Sequence, residues 1–379
     1  MSRAALLLTA GFGEGHNAAA RALAAAVDER HGPDAARVVD IFALARPRLN
    51  AGSRRAYLSL INRAPGLWRH AYGWLDRSAR APGLFRWMRC ETSALGELIR
   101  RERPAVLLST YPIYAYLLAD LARRGFGDLP PHANVVTDSI SINSLWWRAP
   151  CSDWFVPNED SATVLLAGGV PPARIRTLGF PVNPYFADQL GRLAPPLLTE
   201  ARPRVLYIIN SRTRAAAETA HRLLAEQAWD VTCTVGRNDQ LRSELLAAAA
   251  RRTRPAEILG WTHEIPRLLL THHVVVSKAG GATTQEAIAA HCPMLVNQIV
   301  PGQEEGNYEL LRRHGIGAFV PTPDAVIATL RAAFAEDGRE WHRWREALAR
   351  LARPNAARDI VAAVLPTPLA SASPASLSA

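Results

Sequence analysis

Short apolar runs alternate along the chain with longer stretches rich in alanine and leucine. An apolar run bounded by glycine, proline or polar residues is typical of a buried strand, and the stretch that follows is typical of a helix. Strand and helix repeated in this order predict an α/β protein built on parallel sheets. Predicted strands span residues 37–41, 203–211, 229–238 and 274–276. Others begin at residues 4, 104, 134 and 258, and one more lies shortly before residue 161.

The distribution of these units predicts two domains. They fill the chain on both sides of a proline-rich stretch that ends near Pro196, and 379 residues are enough for two domains of ordinary size. No apolar run approaches the ~20 residues needed to span a bilayer. Residues 1–8 are followed by glycines rather than by a small-residue cleavage site, so we interpret them as a buried strand and not as a signal peptide.

Cysteine spacing and net charge narrow the class of protein. The four cysteines are scattered without C-x-x-C spacing, which favours a reducing, cytoplasmic location and argues against a metal site. The formal net charge of +10 favours an anionic partner. Because no helix-turn-helix, zinc-finger or aromatic RNA-binding signature is present, we do not expect that partner to be nucleic acid.

Basic and aromatic residues are interleaved between residues 46 and 103. Two Pro-Gly pairs break this region, and the pattern predicts short amphipathic helices that lie on an anionic membrane surface. The alternative is a set of solvated helices whose aromatic side chains pack inward. The candidate membrane-contacting residues are Arg54, Arg55, Arg63, Trp68, Arg69, Trp74 and Trp87.

The clearest chemical signal follows the strand at 274–276. That strand leads into Gly280 and Gly281, here called the second glycine turn, and a helix is predicted from Thr283 onward. Two glycines let the backbone approach a ligand closely. The first turn of a helix presents free N–H groups, to which Thr283 and Thr284 add hydroxyls. The pattern predicts an anion site suited to a diphosphate.

Charged and amide side chains accompany this turn. Lys278 is the only lysine of the chain and supplies a compact positive charge. Glu286 can accept hydrogen bonds from vicinal hydroxyls such as those of a ribose, or it can simply complement the helix dipole. Gln303, Glu304 and Glu305 follow a Pro-Gly turn, and three adjacent long polar side chains favour recognition of sugar hydroxyls over a plain solvated loop.

A first glycine turn lies near the N-terminus, at residues 11–15. Gly11, Gly13 and Gly15 nearly reproduce a dinucleotide-binding fingerprint, and Asp40 ends the next predicted strand. The third glycine of G-x-G-x-x-G is missing, however. Binding of NAD is therefore kept only as an alternative.

The segment from Lys278 to Asn307 resembles the donor site of a glycosyltransferase family. That family includes the monogalactosyldiacylglycerol synthases, the processive diacylglycerol glucosyltransferases and the peptidoglycan N-acetylglucosaminyltransferase. Its pattern of lysine, Gly-Gly, Thr and Glu, followed by P-G-Q-E-E-G-N, is matched nearly throughout. In the family the glycine turn holds the nucleotide diphosphate, the helix glutamate binds ribose and the Gln/Glu loop touches the transferred sugar. The resemblance implies these roles, in that order, for Gly280, Gly281 and Thr283, for Glu286, and for Gln303 and Glu304.

The resemblance extends to the first half of the chain. The family has a glycine run ending in histidine before an alanine-rich helix, which Gly13, Gly15 and His16 match, so His16 is implied as a general base in an acceptor cleft. Asp138 matches the acidic residue of a Thr-Asp pair. Asn143 stands near where relatives have a histidine, and because asparagine cannot titrate, the proton-accepting role passes to His16 or Asp138.

Several positions depart from the family pattern. Asn183 replaces an arginine of the joint between the domains, and Ile209 and Asn210 replace two glycines. These changes remove a cation and a close-fitting loop from the donor site. In the family an aromatic side chain near Ile258 covers the uracil ring and the next backbone group bonds its edge, roles that the resemblance implies for Trp261 and Thr262. The alternative for Trp261 is a half-buried tryptophan at a strand end. The further donor-binding residues that the resemblance implies are Ser211, Trp261 and Thr262.

The resemblance implies a GT-B type fold, in which two Rossmann-like domains face each other across a cleft. Residues 1–183 would form an acceptor- and membrane-binding domain, 184–200 a linker and 201–345 a nucleotide-sugar-binding domain. Residues 346–365 would form a C-terminal helix that returns to the first domain. The tail at 366–379, composed almost entirely of proline, serine, alanine and leucine, is predicted to be disordered.

The implied reaction is inverting transfer of galactose or glucose from UDP-galactose or UDP-glucose to diacylglycerol or a related lipid. The protein would act peripherally on the inner face of the cell membrane. No Asp-x-Asp sequence occurs, so no metal or other cofactor is expected, and a helix N-terminus would stabilise the leaving diphosphate. Two alternatives stay open: a UDP-sugar epimerase on the same fold, and a UDP-sugar-binding, membrane-associated protein with little turnover.

Overall fold

A computed structural model of the chain describes residues 3–63, 65–78, 81–210, 213–254, 256–300 and 304–366. Two predicted donor residues, Ser211 and Gln303, lie outside this description, and so does the predicted disordered tail beyond Pro366. The backbone is described at Arg63, Trp68 and Arg69, but their side chains are not. The predictions for these positions stay predictions.

Six parallel strands form the first sheet, in the order β2-β1-β3-β4-β5-β6. They are β1 (Ala5–Thr9), β2 (Ala36–Asp40), β3 (Val106–Ser109), β4 (His132–Val135), β5 (Asp153–Val156) and β6 (Ile175–Thr177). Leu7 of β1 lies opposite Val38 of β2 and Leu108 of β3. The central strand β1 is buried on both faces because helices cover the sheet on both sides, which explains its unbroken apolar sequence.

A second sheet of six parallel strands follows, in the order β12-β11-β10-β7-β8-β9. Its strands are β7 (Arg204–Ile208), β8 (Asp230–Thr234), β9 (Glu257–Leu259), β10 (Val274–Lys278), β11 (Met294–Gln298) and β12 (Gly317–Phe319). The strand order reverses at β1/β3 in the first sheet and at β7/β10 in the second. Ligands of such sheets bind beyond the carboxyl ends of the strands at these reversals. Both glycine turns lie there, and the predicted α/β fold is confirmed.

Helices connect the strands. In the first half they are α1 (Glu14–His31), α2 (Ile41–Ala45), α3 (Pro47–Arg63), α4 (Pro65–Arg77), α5 (Ala81–Leu84), α6 (Arg89–Glu102), α7 (Ile113–Arg123), α8 (Glu159–Ala167) and α9 (Tyr185–Gln189). In the second half they are α10 (Arg214–Ala225), α11 (Asp239–Ala249), α12 (Ile265–Thr271), α13 (Gly281–Ala289), α14 (Glu305–His314), α15 (Pro323–Phe334), α16 (Arg339–Leu351) and α17 (Ala356–Val364). Short 3-10 turns lie at Phe85–Trp87, Ser144–Trp146, Pro172–Arg174 and Glu336–Gly338.

The last helix packs on the first. Ile360 and Val361 of α17 share a buried cluster with Leu23 and Val27 of α1. The end of the described chain therefore covers the first sheet, although the predicted domain limits at residues 183 and 200 remain predictions. No helix in the described ranges is long and apolar enough to cross a bilayer.

Candidate active site

The two glycine turns face each other across the cleft between the sheets. A Cβ placed on Gly15, in the first turn of α1, would lie 3.6 Å from the backbone nitrogen of Ala282 in the first turn of α13. A Cβ on Gly281 would lie 3.7 Å from the carbonyl oxygen of Thr137, just beyond β4. The starts of two helices and the end of a strand thus meet in one place.

The second glycine turn presents a helix N-terminus without a side-chain cap. Gly280 is the N-cap of α13, and the first turn contains no acidic residue. Its first N–H groups therefore have no side-chain partner, and the anion predicted to bind them stays a prediction. Asn307 is buried, and its side-chain Nδ2 donates a 2.9 Å hydrogen bond to the carbonyl of Ala279. Asn307 therefore supports the shape of the turn, and its direct contact with the donor stays a prediction.

The two threonines of this helix have different environments. Thr283 is partly exposed. Thr284 is fully buried, and its hydroxyl contacts the sulfur of Met294 at 3.7 Å. Residues that follow each other on a helix point about 100° apart, so the partly exposed Thr283 is the better placed of the two for an anion. The contact of both hydroxyls with the anion stays a prediction.

Lys278 and Glu304 form an ion pair beside the second glycine turn. Glu304 is buried, and its other carboxylate oxygen accepts a 2.9 Å bond from the backbone N–H of Val300. A Cβ on Gly280 would lie 3.6 Å from the Lys278 side chain and 3.7 Å from a Glu304 carboxylate oxygen. Both side chains adjoin the predicted phosphate position, and in this ligand-free arrangement they neutralise each other. Glu305 is exposed at the start of α14.

Glu286 faces the first half of the molecule. Burial raises the pKa of its carboxyl to about 7, an effect that Arg21 of α1 opposes and Glu14 reinforces. Arg21 and Glu14 are themselves paired. A carboxyl poised to ionise near neutrality, placed on the donor-side helix and turned toward the cleft, is suited to accept hydrogen bonds from a ligand's hydroxyls.

Trp261 is 58% exposed beyond the end of β9, and its ring forms a T-shaped pair with that of His263 at 4.2 Å between centroids. A flat aromatic face is therefore free to stack on a base. Thr262 uses its hydroxyl to accept a 3.0 Å bond from the backbone N–H of Glu264. Because the hydroxyl is used in that bond, the backbone of Thr262 is the group that can form a hydrogen bond with the edge of a ligand's base.

The departures from the family pattern have local structural roles. Ile209 is buried in the core of the second half. Asn210 donates a 3.3 Å bond to the hydroxyl of Ser277, and Asn183 accepts a 2.9 Å bond from the backbone N–H of Tyr185. Asn143 caps the following 3-10 turn by accepting from the N–H of Leu145 at 3.1 Å. None of these side chains supplies the charge that the family residue would.

His16 lies in the first turn of α1, beside the carboxyl end of β4. Its Nδ1 is 2.8 Å from the hydroxyl of Thr137, and the indole N–H of Trp146 donates to Asp138 at 2.8 Å. Burial lowers the pKa of His16, while the charge of Asp138 partly opposes this shift. Burial raises the pKa of Asp138, which His16 and Trp146 in turn oppose. The lowered pKa favours the neutral imidazole, the form that has a ring nitrogen able to accept a proton.

An aromatic cluster that the sequence analysis did not single out as a site surrounds His16. Tyr111 meets the imidazole edge-on at 5.1 Å and stacks on Phe12 at 6.2 Å. Tyr57 of α3 meets Phe12 edge-on at 5.7 Å, and Phe42 completes the group. The available signal was the position of Tyr111 directly after the polar tip of β3. Its partners come from distant segments and carry no motif.

Asp40 contradicts the alternative of a dinucleotide site. One carboxylate oxygen accepts a 2.9 Å bond from the N–H of Gly11, and the other caps α2 through Phe42 and Ala43. The acidic group that would bind a ribose is thus occupied by the loop itself. Gly13 lies beside the His16 ring, since a Cβ there would come 3.4 Å from it.

The helices between residues 46 and 103 expose both apolar and basic side chains. Trp74 is 51% and Trp87 80% exposed, and Arg55 is exposed on α3. Arg54 differs from its neighbour, because a Cβ on Gly11 would lie 3.0 Å from its guanidinium carbon. Arg54 therefore covers the first glycine turn. Arg54 is also exposed, so its role as a membrane contact stays a prediction.

Within the described ranges, no group of three or more His, Cys, Asp or Glu side chains is arranged to hold a metal ion. The four cysteines are free. The polar groups at the cleft are instead single acids and bases paired with hydroxyls or with one another.

Comparisons with known proteins agree with this arrangement. The family model described as "Monogalactosyldiacylglycerol (MGDG) synthase" matches residues 16–182. The chain is 26% identical over 365 residues to a processive diacylglycerol β-glucosyltransferase of Bacillus cytotoxicus, covering 95% of this chain and 92% of the relative. It is 25% identical to the chloroplastic monogalactosyldiacylglycerol synthase of Spinacia oleracea, covering 94% of this chain and 71% of the relative.

Solved structures share the fold. MurG of Acinetobacter baumannii superimposes with a TM-score of 0.60 at 12% identity, over 96% of this chain and 99% of that one. The UDP-GlcNAc 2-epimerase of Neisseria meningitidis gives a TM-score of 0.59 at 13% identity, over 96% of this chain and 100% of that one. The predicted GT-B type fold is thereby confirmed. The resemblance read from the motifs is confirmed too: over nearly its whole length this chain is similar in sequence to monogalactosyldiacylglycerol synthases and processive diacylglycerol glucosyltransferases.

Proposed function

We propose that this protein transfers a hexose, galactose or glucose, from its UDP derivative to the hydroxyl of diacylglycerol or a related lipid, with inversion at the sugar carbon. The observation that carries the proposal is the meeting of an uncapped helix N-terminus with a partly buried imidazole across one cleft. The relatives named above act on diacylglycerol or make monogalactosyldiacylglycerol, and this supports the choice of acceptor.

On the donor side, the diphosphate would lie at the start of α13. The N–H groups of this helix and the ammonium of Lys278 would stabilise the negative charge that develops as UDP leaves. Entry of the diphosphate would compete with Glu304 for Lys278 and free that carboxylate for the sugar hydroxyls. Glu286 would accept from the ribose and Trp261 would stack on the uracil. The donor role of Ser211 and Gln303 stays part of the proposal on the family resemblance alone.

On the acceptor side, His16 would take the proton. If Nδ1–H donates to the Thr137 hydroxyl, the Nε2 lone pair faces the cleft and can accept the proton of the lipid hydroxyl. The lipid oxygen then forms a bond to the sugar's anomeric carbon while the bond from that carbon to the diphosphate breaks. Asp138, close enough to influence the imidazole electrostatically, would stabilise the imidazolium that results.

The acceptor reaches this cleft from a membrane surface, and helices α3–α5 are the proposed contact. Leu49, Leu67 and Leu84 are 56%, 63% and 48% exposed, alongside Trp74 and Trp87. Exposed aromatic and basic residues together favour an anionic bilayer surface, where each basic residue contributes about 1 kcal/mol. We place the protein on the cytoplasmic face of the membrane, and the side chains of Arg63, Trp68 and Arg69 would complete the contact.

The direct test offers labelled UDP-galactose and UDP-glucose, separately, with vesicles that contain diacylglycerol, and identifies products by mass. The proposal expects a hexosyl-diacylglycerol from at least one donor. A matched reaction without acceptor lipid controls for hydrolysis and epimerisation. An altered UDP-sugar in that control would instead identify an epimerase. Tight UDP binding without any product would identify a UDP-sugar-binding protein.

A further inference from the structure

We propose that residues 139–141 form an interdomain clasp that couples closure of the donor half to the placement of Asp138 and His16, with Gln285 and Gly306 as its positioning residues on the donor half. The inference rests on the proposed function for the meaning of those two groups. The contacts that define the clasp do not depend on it.

The segment after β4 is held by both donor-side helices. The hydroxyl of Ser139 is buried and accepts a 3.0 Å hydrogen bond from the side-chain amide of Gln285 on α13, which is also buried. The side chain of Ile140 packs against the apolar core of the second half. Two consecutive residues of the first half therefore have their partners in the second half: Ser139 its hydrogen-bond donor and Ile140 its apolar contacts.

The contact with α14 requires a glycine. A Cβ on Gly306 would come within 2.0 Å of the Ser139 carbonyl oxygen and 2.7 Å of the Ser141 nitrogen. Real Cβ atoms do not approach backbone this closely, so any side chain at 306 would force the two halves apart. Gly306 lies in the first turn of α14, two residues after Glu304, so the clasp meets the donor half next to its sugar-binding loop.

The backbone of the clasp is strained. Ile140 has φ of 59°, a left-handed conformation that a β-branched residue rarely adopts. Such conformations persist where surrounding contacts support them. A local 2.6 Å hydrogen bond from the N–H of Ser141 to the carbonyl of Ser139 closes the turn around Ile140, and the contacts with Gln285 and Gly306 hold this turn against the opposite half. Separation of the halves would remove that second support. Asp138 and Thr137, the groups that surround His16, precede the clasp directly and would move with it.

Sugar transfer would therefore occur only when the donor half is closed. With the clasp engaged, Thr137 and Asp138 are fixed against His16. Without it, the proton acceptor loses its supports. This arrangement would limit wasteful hydrolysis of the UDP-sugar in the open state, because the base is assembled only as the cleft excludes water.

The test compares wild type, Gly306→Ala and Gly52→Ala. Gly52 is a matched control, since it is an exposed helical glycine with open space where its Cβ would be. Alanine favours a helix over glycine, so neither variant should lose its own helix. UDP affinity is measured by calorimetry, compaction on adding UDP by small-angle scattering, and kcat by the transfer assay.

The proposal expects Gly306→Ala to bind UDP within about threefold of wild type, to lose the UDP-induced compaction, and to lose about 100-fold in kcat, the cost of a small misplacement of catalytic groups. Gly52→Ala should match wild type in UDP affinity and compaction. Compaction and kcat retained in Gly306→Ala would overturn the clasp.

A double-mutant cycle with Ser139→Ala and Gln285→Met is a second test, and unlike Gly306→Ala it inserts no additional side chain into the contact. Each single change should lower kcat, and the double variant should be no worse than the worse single. Additive losses would contradict a direct coupling. If wild type transfers no sugar, the proposed function fails, yet loss of compaction in Gly306→Ala would still support the clasp, so the two failures are distinguishable.

Discussion

The two glycine turns share one design, a buried strand followed by glycines and a helix start, and they differ in what the helix start offers. Neither helix has a side-chain cap. The first turn of α13 contains no acidic residue, whereas that of α1 contains Glu14, which is paired with Arg21, and also His16. The carboxylate of Glu14 makes the start of α1 less favourable for an anion than the start of α13. Under the proposed function, the second turn is the phosphate site and the first is the proton-transfer site.

The environments of the two turns reinforce this difference. Tyr111, Phe12 and Tyr57 surround the first, which suits an apolar acceptor and keeps the imidazole neutral. The Lys278–Glu304 ion pair adjoins the second, which suits a charged ligand. The comparison teaches that a glycine turn alone does not identify its ligand, and that the charges within one helical turn of it do.

The largest expected effect comes from removing the base at the first turn. His16→Ala should lower kcat by at least about 100-fold and leave UDP affinity unchanged, because the imidazole accepts a proton and does not bind the donor. Steady-state transfer kinetics measure the loss of kcat, and UDP calorimetry on the same preparation measures the affinity. Asp138→Asn is the companion variant, since a loss there with His16→Ala fully active would reassign the base.

The second expected effect removes the cation at the second turn. Lys278→Met should weaken UDP binding about 5- to 150-fold, the equivalent of about 1–3 kcal/mol for an unmade charged hydrogen bond. It also leaves Glu304 buried without its partner. Lys278→Met combined with Glu304→Gln removes both charges and separates the causes. If that double variant regains full UDP affinity, Lys278 has no role beyond its pairing with Glu304.

The third effect is a pH dependence in the donor half. The carboxyl of Glu286 has a pKa of about 7, raised above its ordinary value, so protonation persists in the folded protein up to neutral pH. Ionised Glu286 is the better acceptor for ribose hydroxyls. UDP-glucose affinity should therefore rise about tenfold from about pH 6 to about pH 8 and level off above.

Glu286→Gln should flatten this pH profile. UDP-glucose is the appropriate ligand, because its diphosphate is esterified at both ends and has no group that titrates in this range. A profile that keeps its slope in Glu286→Gln would assign the titration elsewhere and remove Glu286 from the ribose site.

The smallest expected effect concerns the exposed tryptophans, Trp87 in the first half and Trp261 in the second, which are proposed to contact different ligands. Trp87→Ser should weaken binding to anionic vesicles about fivefold, the scale of about 1 kcal/mol of interfacial burial. Trp261→Ser, the matched change in the second half, should leave vesicle binding unchanged and weaken UDP binding instead. Vesicle sedimentation at low and high salt checks this. Equal vesicle binding by wild type and Trp87→Ser would place the membrane contact outside this surface.

Sequence patterns were sufficient for the fold and for the second glycine turn, and less informative about the first. Parallel strands buried on both faces give unbroken apolar runs, and the donor residues are contiguous from Lys278 to Asn307. The pattern could not tell that Thr284 faces the core, because that depends on the angle at which α13 packs. The acceptor side joins Phe12, Tyr57, Tyr111 and Thr137 from separate segments, a proximity that only the fold creates.

The most direct measurement is the footprint of UDP on amide hydrogen exchange in the unmodified protein. An anion bound at the second glycine turn accepts hydrogen bonds from the free N–H groups of residues 281–283, so their exchange should slow more than that at residues 14–17. The account predicts this asymmetry. Equal or stronger protection at residues 14–17 would contradict it, because the diphosphate would then lie at the first turn, beside Glu14 and His16.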